Sequence, residues 1–177
     1  MKNGIIAFFL ISSHSGLVAQ NQVDEQAIQD IVSDIATAWT NGDGPGFAEH
    51  FAEDHDFFVW NGIYMTGLSK SQNAENHQRI FDTMYKDTKH YAVIDKIRFV
   101  TEDVAVLTTM SAVVPKSAPA PEHPQVLWSA TLVKNSGKWE IVSFHNADIE
   151  ILDTADSRAN APFPVEVMFE KWYSASL

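Results

Sequence analysis

The sequence predicts an α+β fold: a cone-shaped roll of three N-terminal helices packed on a strongly curved, mostly antiparallel sheet. Three observations lead there. Helical apolar spacing governs residues 23–85, broken by one short hairpin. Runs of β-formers govern residues 89–148. The 177 residues suffice for one domain with a real core, but not for two comfortable ones. Helices segregated from antiparallel strands define the class.

Each element has its own signal. Over residues 23–40, Ile28, Ile31, Val32, Ile35 and Trp39 recur at helical spacing. Residues 41–44 (NGDG) stop that helix, because glycine suits the left-handed cap position. A second helix is expected over residues 45–52, with Phe47 and Phe51 one turn apart and facing inward. Asn61 and Gly62 join short strands at 57–60 and 63–65, the strongest two-residue hairpin signal. A third helix is expected over residues 69–85, where Ser69 and Gln72 have capping-box spacing. Its stripe is Ala74, His77, Ile80, Phe81 and Met84. Strands follow at 89–100, 103–114, 126–133 and 139–148, the last two turning at residues 135–137 (NSG). Residues 115–124 hold four of the seven prolines and must form a loop. The tail, 151–177, carries Val167, Met168, Phe169, Trp172 and Tyr173, and is expected to dock on the body or on a second subunit.

Composition excludes several functions. The formal charge of −11 argues against a nucleic-acid partner, since duplex binding rests on Lys and Arg. Anionic membrane surfaces are disfavoured for the same reason. With no cysteine, there is no disulfide framework, thiol nucleophile or thiolate metal site. Residues 1–20 read as a signal peptide: Lys2, then an apolar run over residues 4–11, then small residues, with cleavage after Ala19 or Gln20. The mature domain is then 21–150, and the protein is expected in the periplasm or the medium, with no stable membrane insertion after cleavage.

Several blocks carry a family likeness. These are residues 38–43 (AWTNGD), then Phe47 and residues 51–54 (FAED), then Gly62 and Gly67 ahead of a helix with Glu75 and His77. Residues 104–107 (VAVL) and 137–146 (GKWEIVSFHN) complete the set. In these blocks, across about residues 25–148, the chain resembles small SnoaL-like proteins of the SgcJ/EcaC type, which have the nuclear-transport-factor-2-like cone fold. That superfamily includes ketosteroid isomerases, polyketide cyclases, dehydratases, and members that only bind or oligomerise. The resemblance therefore implies a fold, a pocket and a homodimer, and does not fix a reaction. The loop at 115–124 and the tail after Asp148 depart from the subgroup and could reshape the mouth of a pocket.

The residues themselves offer candidates. His77 shares a helix face with Phe81, so it should point at the sheet, either as an acid–base group or as a core histidine bonded to a backbone carbonyl. Strict alternation puts His145 on the side of Trp139, Ile141 and Ser143, and Asn146 opposite. If the Trp139 face is concave, His145 enters the cavity. Trp39, Trp60, Phe81 and Trp128 are candidate pocket walls, or ordinary core aromatics. Tyr64 could donate to a developing oxyanion, a role phenols play in isomerases of this fold. Glu53, Asp54, His55 and Asp56 read as a solvated helix end and turn, although the resemblance implies a carboxylate base near the pocket, a role Asp54 or Asp56 could take if turned inward; their spacing with His50 matches no standard metal site. No nucleophile elbow, phosphate loop or dinucleotide fingerprint appears, so no cofactor is expected. The expectation is an exported protein with a pocket for a small hydrophobic molecule. It would be an isomerase, cyclase or dehydratase using acid–base catalysis on a small apolar or aromatic carbonyl compound. A non-catalytic binding module and a dimerising interaction domain remain the alternatives.

Overall fold

The computed structural model describes the backbone from residue 13 and the side chains from residue 21 to Leu177. The signal-peptide reading falls mostly outside the described residues; the backbone of residues 13–20 belongs to the first helix.

Helix α1 (Ser13–Asn41) and the short α2 (Gly44–Ala48) are followed by strands β1 (Phe51–Phe58) and β2 (Tyr64–Leu68). Helix α3 (Lys70–Phe81) then leads into four long strands: β3 (Thr88–Thr101), β4 (Val104–Pro115), β5 (Val126–Asn135) and β6 (Lys138–Asp148). All six strands form one sheet in the order β2-β1-β6-β5-β4-β3. Only the β1–β6 pair is parallel. The fold is the expected α+β arrangement of N-terminal helices on a curved sheet.

The local chemistry explains these boundaries. Gly42 adopts a φ of 68° and ends α1. Asp43 caps α2, accepting from the Gly46 amide at 2.9 Å. Gly44 lies so close to α3 that an added Cβ would sit 2.4 Å from the Ala74 carbonyl oxygen, so only glycine lets the two helices meet. Ser69 and Gln72 form the full capping box of α3. Boundaries differ from expectation in three places. Helix α1 already begins at Ser13, ahead of residue 23. Helix α2 ends at Ala48, and β1 begins at Phe51, so the acidic stretch 53–56 lies within a strand and not in a turn. Helix α3 ends at Phe81, which leaves Met84 72% exposed and off the apolar stripe.

One face of the sheet meets the helices. Ile28, Ile31, Val32 and Ile35 of α1 pack with Phe51, Phe57, Ala105, Leu107, Leu132 and Ile141. Buried Asp24 ties α1 to the sheet, accepting from Lys134 Nζ at 2.8 Å and Trp139 Nε1 at 3.1 Å. The outer face of β3, β4 and β5 is covered by the tail. A 3-10 turn (Glu150–Leu152) and short helices α4 (Ala155–Ala159), α5 (Val165–Met168) and α6 (Glu170–Ser174) bring Leu152, Val165, Phe169 and Trp172 against Met110 and Ala112.

Candidate functional site

Three imidazoles, His55, His77 and His90, lie between the helices and the sheet, and the fold treats them differently. His77 sits on the inward stripe of α3. Its ring stacks on Phe47 with centroids 3.7 Å apart, and meets Phe57 and Phe81 at 5.3 and 5.9 Å. Its Nδ1–H donates to the Asn73 carbonyl at 3.0 Å, the bond a core histidine one turn along would take. Nε2 keeps a lone pair with no partner among the described residues. Burial pushes the pKa of His77 down to about 4, so the ring is neutral at pH 7. Beside it, His55 Nδ1–H donates to the Ala52 carbonyl at 2.7 Å, and the Asn73 amide donates to His55 Nε2 at 3.0 Å. Burial also lowers the pKa of His55. Asn73 is fully buried, and its Oδ1 has no partner among the described residues.

His90 opens β3 against the last turn of α1. Its backbone N–H donates to Thr40 Oγ1 at 3.1 Å. The Trp39 indole lies 5.5 Å from its ring, held by a bond from Nε1–H to Thr88 Oγ1 at 3.2 Å. Neither ring nitrogen of His90 has a partner among the described residues, and Nδ1 is buried. Burial pushes the pKa of His90 down to about 4, with no nearby charge to offset it. The residue keeps some exposure, because it lines a cleft of about 680 Å³ between α1 and β3. Thr37, Thr40, Ala92, Ile94 and Leu177 are among the other lining residues, and among the described residues no Asp, Glu, Lys or Arg side chain lines the cleft. A neutral imidazole on a concave, mostly uncharged surface can accept a proton or a hydrogen bond from a small molecule.

The structure gathers some of the expected residues and separates others. Trp39 and Phe81 surround His77, and Trp39 touches His90 as well. Trp128 is buried on the helix-covered face, where Thr109 and Asn146 are its cross-strand neighbours. Asn146 Oδ1 accepts from the Trp60 backbone N–H at 2.7 Å. His145 points the other way. Between Ile141 and Ser143 the register with β5 shifts, and Val142 is the extra residue. That bulge inverts the alternation, so Trp139, Ile141 and Phe144 face inward and His145 is exposed. Tyr64 pairs with outward-facing Phe58 and is 66% exposed, too far round the sheet to reach an inner oxyanion. The Trp60 side chain is 53% exposed at the hairpin tip. His50 pairs with Asp34 at 2.8 Å on the surface, whereas His55 turns inward to Asn73.

The sequence reading passed over His90. A signal was present: His90, Ala92 and Ile94 alternate on one face of β3. It was masked because Tyr91 and Val93 are apolar too, serving the cluster beneath the tail.

No family model and no curated protein matches the chain. Solved structures do. A protein of unknown function with a cystatin-like fold from Nostoc punctiforme superposes with a TM-score of 0.67 at 24% identity, over 86% of this chain and 98% of that one. The chain has the NTF2-like, cystatin-like fold. A scytalone dehydratase-like protein from Novosphingobium aromaticivorans matches with a TM-score of 0.61 at 19% identity, over 74% of this chain and 87% of that one. The hexachlorocyclohexane dehydrochlorinase LinA-type3 from Novosphingobium barchaimii gives a TM-score of 0.61 at 14% identity, over 74% and 90%.

Proposed function

We propose that this chain is an exported, cofactor-independent enzyme of the SnoaL-like kind that catalyses elimination from a small molecule, with His90 as the base. The observation that carries the reading is the neutral imidazole of His90, bonded at neither ring nitrogen, on the wall of the cleft between α1 and β3. A lone pair there takes a proton from carbon, the C–H electrons form the double bond, and the leaving group departs with the electrons of its own bond. The imidazolium then returns its proton to the leaving group or to solvent. Dehydratase and dehydrochlorinase, the activities named for two of the fold neighbours, are both eliminations. His77 supports the site from behind, through Trp39.

The test uses scytalone and hexachlorocyclohexane, followed by absorbance of the new double bond and by chloride release. Turnover of either, with kcat lowered about 100-fold or more by His90→Asn, is the expected result. Turnover that survives His90→Asn, or none with either compound, sinks the reading. The second reading is a binding module. It is favoured by the cleft lining, in which no described carboxylate, lysine or arginine side chain stands alongside His90.

A further inference from the structure

The proline-rich loop and the tail grip each other. Trp172, 2% exposed, donates from Nε1 to the Glu122 carbonyl at 3.2 Å. The Tyr173 hydroxyl and His123 Nδ1 are 3.0 Å apart, with the rings edge to face. Lys171 reaches Asp95 of β3 at 3.8 Å. β3 is an edge strand, and the tail packs on its outer face, burying Trp172 near Tyr91 and Val93. Yet Ser176 and Leu177 line the cleft on the inner side, beside His90, Ala92 and Ile94. The last residues therefore pass the free edge of β3 and become a wall of the cleft.

We infer that Ser176 and Leu177, held by this loop–tail clasp, are specificity-determining residues of the His90 cleft, and that the cleft takes an uncharged small molecule. The meaning for catalysis rests on the elimination reading; the binding claim does not. One residue in five of the chain is charged, yet among the described residues no charged side chain lines this surface. An ionised ligand would shed its hydration there and meet no counter-charge from the described side chains. Thr37, Thr40 and His90 supply hydrogen-bonding groups, while Val32, Ile94 and Leu177 supply apolar contact. Leu177 is 43% exposed, so a bound molecule would cover its apolar surface.

The experiment is saturation-transfer NMR with three probes that share one ring: cyclohexanol, cyclohexanecarboxylate and cyclohexylammonium. The imidazole proton signals of His90 and His77 are recorded in parallel. Cyclohexanol should bind and move the His90 signals while leaving those of His77 in place. The two charged rings should bind about tenfold more weakly or not at all. Leu177→Ala and a chain ending at Ser174 should weaken cyclohexanol binding about tenfold, and Tyr173→Phe should weaken it less. Unchanged circular dichroism and melting show that each variant folds. If the shortened chain does not fold, Leu177→Ala decides alone. Equal binding by a charged ring, no binding by cyclohexanol, or an unaltered affinity and His90 signal in Leu177→Ala each overturns the inference. Binding that follows this pattern without any turnover overturns the elimination reading alone.

Discussion

His77 and His90 are both driven to a pKa of about 4 by burial, but only one has been given a partner. His77 donates to the carbonyl four residues back, and three phenyl rings surround it. It has the contacts of a core residue. His90 has a bonded backbone, a neighbouring indole and two unbonded ring nitrogens, beside open space. A similarly lowered pKa therefore does not mean an equal role. An imidazole whose bonding is complete at Nδ1 and whose faces are stacked stabilises the interior. One whose ring is left unbonded has chemistry to offer to something else.

The largest expected effect separates the two by activity. His90→Asn should lower kcat about 100-fold or more, whereas His77→Asn should cost far less, because an amide can still donate to the Asn73 carbonyl. Steady-state kinetics on whichever probe is turned over decides it, and equal losses would break the comparison. Stability should show the reverse order. His77→Ala leaves a hole among Phe47, Phe57 and Phe81 and should cost about 3 kcal/mol by urea denaturation. His90→Ala should cost about 1 kcal/mol, since its ring already borders solvent-accessible space. A His90 variant as unstable as the His77 variant would make His90 a core residue too.

The contrast was half legible in the sequence. Helical spacing placed His77 on the stripe with Phe81, and nothing in α3 disturbs the count before Phe81. Counting along a strand is more fragile. One extra residue, Val142, reversed the facing of everything after it, so His145 is exposed while Asn146 turns to the helix-covered face, half-buried. A bulge has no composition signal in residues 138–146, where Val142 and Phe144 are as apolar as Trp139 and Ile141. The same ambiguity hid His90. A strand apolar on both faces does not reveal which face is functional, and the outer face of β3 is apolar because the tail rests on it. Fold class survived these errors because it depends on element order, which glycine, proline and capping residues fix locally.

Titration gives a smaller and graded effect. The imidazoles take up protons near pH 6.5 when unfolded and near 4 when folded. Between those values the unfolded chain binds more protons, so stability falls as pH is lowered from 6.5 towards 4. Each ring should contribute up to about 1.4 kcal/mol per pH unit, and His55 acts in the same direction. Denaturation midpoints across that range should show a steep slope, flattened by His77→Phe and again by His90→Phe. A slope unchanged by His77→Phe would mean its ring is not held neutral. Saturating cyclohexanol should extend the slope to lower pH only while His90 is present, because a ligand of the neutral ring lowers its folded pKa further.

The smallest effect probes whether the two sites are mechanically separate. Ser69 caps α3, accepting from the Gln72 amide at 3.2 Å, and its carbonyl accepts from the Asn73 amide at 3.0 Å. Ser69→Ala should cost about 1 kcal/mol and loosen the first turn of the helix. Asn73 sits in that turn and holds both His55 and His77, whereas His90 hangs on Thr40 and Trp39 of α1. The imidazole signals of His55 and His77 should therefore shift in Ser69→Ala while those of His90 stay in place. Movement at His90 would show that Trp39, the ring in contact with both imidazoles, transmits strain from one site to the other.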